Sequence, residues 1–110
     1  MSLTNEEEFA LQMLFSGQDK VSLAVRLQLK SCAVKARKHT GVGFFTSIAL
    51  AVTLPVTVQR HWDCNFEHRE LSHGGSFMCW IENSSFLELE AVAYNGEWPK
   101  NFNSSDFKLA

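Results

Sequence analysis

Proline (two) and glycine (six) are too sparse in 110 residues for a collagenous or low-complexity chain. Cysteine is sparser than a disulfide scaffold needs. Cys32, Cys64 and Cys79 are odd in number, far apart and never in a C-x-x-C pair. That excludes a disulfide framework or four-cysteine metal knot and points to reduced, buried thiols in a cytoplasmic protein. The acidic start, Met1 to Glu8, lacks the basic flank and apolar run of a secretory leader, so the two Asn-x-Ser triplets at Asn83 and Asn103 carry no weight as glycosylation sites. There is no G-x-S-x-G elbow, no P-loop and no thiol-protease signature around Cys64 or Cys79. Gly41-x-Gly43 lacks the third glycine of a dinucleotide site. Nothing in the sequence specifies a reaction, and a non-enzymatic protein without a cofactor is expected.

What is present is globular. Hydrophobic residues make up 45% and charged residues 20%, which excludes disorder. The length suits a single domain spanning 1–110 that buries roughly two-thirds of its unfolded surface. From His39 to Gln59 there is no charged side chain, a stretch long enough to cross a bilayer. It opens on Gly41 and Gly43, is rich in threonine and is broken by Pro55, so a buried strand is expected there and no membrane association.

The formal charge of −2 hides a segregated distribution. Residues 1–19 hold only acids (Glu6, Glu7, Glu8, Asp19). Residues 20–60 hold only bases (Lys20, Arg26, Lys30, Lys35, Arg37, Lys38, Arg60). Residues 61–110 hold eight acids against Arg69, Lys100 and Lys108, so the three segments carry −4, +7 and −5. Matched charge of this kind serves contacts within the fold or between two chains. The basic run Lys20–Lys38 is the sole nucleic-acid feature; it lacks interleaved aromatics and belongs to an acidic protein, making nucleic acid a weak alternative.

Thr4 followed by Glu7 forms a capping box for a helix over about 4–15, stopped by Gly17. Val21, Ala24, Val25 and Leu29 give a helical stripe to about residue 30, with a short strand after it. Strands are expected over 44–53, 66–71, 77–82 and 86–94, with a connection at 59–65, a turn at Ser72–Gly75 and a hairpin turn at Asn83-Ser84. The residues from about 96 to 110 show no period and read as loop. Helices followed by strands predict an α+β domain: one or two N-terminal helices on a four- to five-stranded, mostly antiparallel sheet.

Four side chains are candidate binding residues. Glu88 and Glu90 share one strand face, opposite Leu87, Leu89, Ala91 and Ala93. Paired carboxylates can divide acid–base roles, but a solvated strand face explains them equally. Tyr94 and Trp98 are contact aromatics, although Trp98 beside Pro99 could instead pin the tail to the sheet. His61, Cys64, His68 and His73, with Asp63 and Glu67 between them, offer zinc-type donors at no standard spacing, and no metal ligand is assigned. The leading expectation is a protein-binding or self-associating module, a homo-oligomer included. A small-molecule or metal site at His61-Cys64-His68 or Glu88/Glu90 is the alternative.

Arg26-x-Gln28-Leu29, the run Thr40-Gly41-Val42-Gly43-Phe44-Phe45-Thr46, Gly74-Gly75 before an apolar strand, Leu89-Glu90, Tyr94 and Glu97-Trp98-Pro99 occur in this order. In pattern and order they resemble a family of small bacterial proteins of unknown function. The resemblance covers most of residues 20–99 and implies a compact α+β domain, with no reaction, cofactor or catalytic residue. Ala91 and Ala93 stand where glycine and threonine belong to that pattern.

Overall fold

The computed structural model describes residues 1–110. Two helices, α1 (Asn5–Leu14) and α2 (Lys20–Leu27), precede six strands: β1 (Ala33–His39), β2 (Gly43–Ala49), β3 (His61–His68), β4 (Leu71–Asn83), β5 (Phe86–Ala93) and β6 (Phe107–Leu109). The strands form one antiparallel sheet in the order β1-β2-β5-β4-β3-β6. The domain is α+β as expected, with six strands rather than four or five. No helix is long and apolar enough to cross a membrane.

The start of α1 follows the capping box. Thr4 Oγ1 accepts the Glu7 N–H at 3.1 Å, and a Glu7 carboxylate oxygen accepts the Thr4 N–H at 2.8 Å. Asp19 caps α2 by accepting the Ser22 N–H. Arg26 reaches back from α2 to the Phe15 and Gly17 carbonyls, satisfying groups that the end of α1 leaves free. Gln28 then behaves like a strand neighbour. Its amide donates to Val52 O and accepts from Val52 N, each at 2.9 Å, tethering the long β2–β3 loop. Arg26 and Gln28 thus both act as braces of the fold.

Strand alternation decides which face is covered. On β5, Leu87, Leu89, Ala91 and Ala93 are buried, while Phe86, Glu88, Glu90 and Val92 are half-buried on the other side. Phe44 and Ile48 of β2, Trp62 and Phe66 of β3, and Phe77, Cys79 and Ile81 of β4 join the covered face. α1 packs there against β3 and β4. Full burial of each large apolar side chain contributes about 1.5–3 kcal/mol.

Three expectations are corrected. The segment 59–65 is mostly strand, since β3 begins at His61. Ser72–Gly75 is no turn: it lies inside β4, where two extra residues bulge against Glu67 between the pairs Phe66–Gly75 and His68–Leu71. Gly74 adopts φ +66° there, and a Cβ on it would lie 2.1 Å from Phe66 O, so bulge chemistry imitates turn chemistry. The tail also carries structure: after a 3-10 turn at Ser104–Asp106, β6 pairs with β3. Its aromatics hold it down. Phe107 lies 5.0 Å from both Phe9 and Phe66 and 5.7 Å from Phe77, centroid to centroid.

Candidate functional site

The half-buried side of the sheet is the first candidate surface. Both helices and the tail aromatics pack on the opposite side, leaving this one open. Reading across the register, one row runs Lys38, Phe45, Glu90, Met78, Asp63, and the next runs Ala36, Ser47, Glu88, Trp80, His61. A third row places Val92, Ser76 and Asn65 side by side. Phe45 is 43% exposed. Trp80 stacks on His61 at 4.9 Å. Glu88 accepts the Ser47 hydroxyl at 2.8 and 2.9 Å to its two oxygens. Tyr94 reaches over β4 and donates to Asn65 Oδ1 at 2.5 Å. Burial pushes the Glu90 carboxyl above its ordinary range, with no hydrogen bond to offset it. Glu88, Glu90 and Tyr94 therefore meet on one surface.

Trp98 lies elsewhere, on the covered side. Its ring is edge-on to Phe44 at 5.7 Å and to Phe66 at 5.9 Å, and its indole N–H donates to Glu6 at 3.0 Å. It pins the tail to the sheet.

The histidine–cysteine group disperses as well. His61 projects from the open face, whereas Cys64 and His68 project from the covered face of the same strand. His73 stands exposed in the β4 bulge, near Asn95. Burial pushes the Cys64 thiol up to about 11 and raises Cys32 and Cys79 as well, so none is a thiolate near neutral pH. His68 does approach Glu70 and Asp106, with potential ligand atoms within 4.8 Å of one another. Its Nδ1, however, accepts the Glu70 N–H at 3.0 Å. In the neutral ring the proton then sits on Nε2, leaving no lone pair for a cation.

Three of the six bases from Lys20 to Lys38 are engaged within the chain. Lys30 pairs with Glu8 at 2.9 Å, Arg37 with Glu7 at 2.7 Å, and Arg26 serves carbonyls. Glu7 is 2% exposed yet fully partnered, by the Thr4 N–H, Arg37 Nε and Nη2, and Thr46 Oγ1. Burial alone would raise its pKa, but these donors and the Arg37 charge hold it below the ordinary carboxylate range.

A second candidate is a cleft that no sequence pattern indicated. It runs between the first turn of α1, His39 at the end of β1, the Gly41–Gly43 turn and Glu97–Lys100 of the tail, as two lobes of about 460 and 380 Å³ that share Glu6 and His39. The Trp98 N–H donates to Gly41 O at 2.8 Å, so the Thr40–Thr46 run and the Glu97–Pro99 stretch, 50 residues apart in sequence, meet here.

No family model matches the chain, and no curated protein or solved structure matches it.

Proposed function

We propose that this chain is a non-enzymatic protein-binding module that docks through the open face of its sheet a partner presenting basic side chains among apolar ones. The observation that carries this reading is the order of the rows: Phe45, Met78 and Trp80 flank Glu88 and Glu90 on the face turned away from the helices. A half-desolvated carboxylate without a cation beside it gains from a partner's lysine or arginine, and flat aromatic neighbours contribute cation–π contact. Asp63 and Glu67 extend the acidic character toward β3, while Lys38 and Lys108 stand at the rims. A second copy fits only if its basic β1 edge, Lys35 and Lys38, meets this acidic centre. A two-fold axis through Glu90 would instead set like carboxylates against each other.

Carbodiimide cross-linking, which joins carboxylates to lysines at zero length, tests the reading in a lysate of the cells that make the protein. Cross-links from Glu88 or Glu90 to lysines of one co-purifying protein are expected. With mixed light and heavy chains, links to Lys35 or Lys38 of another copy would identify self-association. Reaction at Glu67 and Glu97 with none at Glu88 or Glu90 would overturn it.

A further inference from the structure

The cleft beside α1 carries a chemistry that the open face does not share. We infer that it binds a small organic cation, a primary ammonium seated on Glu6 with an aryl or alkyl body against the Phe102 and Trp98 rings. Glu6 and His39 line both lobes, so the carboxylate stands at their junction, and each lobe has the volume of a small-ligand pocket.

The two neighbouring glutamates of α1 differ in what they have left to offer. Glu7 has Thr4, Arg37 and Thr46 on its oxygens and is spent on the fold. Glu6 receives a single hydrogen bond, from Trp98 Nε1 to Oε2, which fixes the carboxylate and leaves Oε1 free. No cation of the chain forms an ion pair with it. Glu6, Glu7 and Glu97 face His39, Arg37 and Lys100, and Arg37 already belongs to Glu7. Lys100 lies in the outer lobe with Glu97. A ligand ammonium would pair with the open oxygen of this partly desolvated carboxylate, and aromatic rings beside it favour a cation over a neutral isostere.

The test uses the intact protein and three probes of one shape: phenethylammonium, 2-phenylethanol and 3-phenylpropionate. Titration is followed by the amide and indole N–H signals. Phenethylammonium at millimolar concentration is expected to shift the Trp98 indole and the Glu6, His39 and Gly41 amides, leaving the Trp80 indole in place. Glu6→Gln keeps an acceptor for Trp98 and should weaken phenethylammonium about tenfold or more. Glu82→Gln, which alters an exposed carboxylate near the end of β4 and outside both lobes, should leave phenethylammonium binding unchanged. No shift with the ammonium, equal binding of the alcohol, or tighter binding of the carboxylate would each overturn the inference, as would undiminished binding by Glu6→Gln with a folded spectrum.

Discussion

The two faces of the sheet are written by the same alternating strands and end in different chemistry. On the covered face nearly every side chain is apolar, and the acid inserted into it, Glu7, has its carboxylate fully satisfied. On the open face aromatics and carboxylates alternate across strands, Glu88 has a single serine partner, and Glu90 has none. Polarity on one side is structural, closed and paired. On the other it is left largely unpaired, which is what the proposed docking surface requires.

The sharpest way to break that contrast is to truncate one aromatic from each face of the same strand. Phe77 is fully buried on β4 and touches Phe9, Phe66 and Phe107, so Phe77→Ala should cost about 3–5 kcal/mol. Trp80, three residues on, stacks only on His61, and Trp80→Ala should cost about 1 kcal/mol. Urea unfolding of both variants decides. Equal losses would mean that the open face is a second core.

Next in size is Glu7→Gln. The amide cannot neutralise Arg37, and about 2–3 kcal/mol should be lost, less than for a fully buried pair because Arg37 keeps some contact with water. The pH dependence has a definite sign. The folded pKa of Glu7 lies below its unfolded value, so its contribution is present above the ordinary carboxylate range and lost as pH falls through the lower, folded value. Glu7→Gln should therefore flatten the acid limb of a melting-temperature profile. An unchanged limb would show that other carboxylates govern acid unfolding.

A third comparison uses adjacent residues. Cys79 faces the core and Met78 the open side. In a Met78→Cys variant the new thiol should react with iodoacetamide at least about tenfold faster than Cys79 at the same pH, followed by mass of the labelled peptides. Parity would contradict the assignment of faces.

How legible all this was in the sequence depends on what each residue's role rests upon. The Thr4–Glu7 box, the β4–β5 hairpin and the division of β5 into Leu87-Leu89-Ala91-Ala93 and Glu88-Glu90 are local, set by spacings of two and three residues. The strand β3 was obscured because its residues His61, Asp63, Asn65 and Glu67 are polar on one face while Trp62, Cys64 and Phe66 supply the other, a mixture that also describes a loop. β6 and the docking of the tail rest on Trp98, Phe102 and Phe107, whose irregular spacing matches no element; their partners Phe9, Phe44, Phe66 and Phe77 are scattered over the chain. Glu7's second role as partner of Arg37 and Thr46, 30 and 39 residues away, was hidden for the same reason. The charge pattern is resolved only in part. The −4 segment meets the +7 segment within the chain through the part-buried pair Glu7–Arg37 and the exposed pair Glu8–Lys30, and neither pair engages Glu88 or Glu90 on the open face.

The smallest expected effect separates the faces most cleanly, because its sign reverses. Glu90 has a folded pKa raised by burial, so its ionised form is costly to the native state above that value, and the penalty fades as pH falls and the carboxyl takes up a proton. Glu90→Gln should therefore raise the melting temperature at neutral pH by about 1–2 °C, opposite in sign to Glu7→Gln, and like that variant it should converge on the wild type in acid. If the open face is a docking surface, the same substitution also removes one of the two carboxylates that cross-link to the partner, so stability rises as binding falls. A carboxylate that weakens its own fold while serving a contact is what a binding surface carries and a structural one does not. A lowered melting temperature in Glu90→Gln would place Glu90 with Glu7, as a group already satisfied within the chain, and the contrast between the two faces would fail.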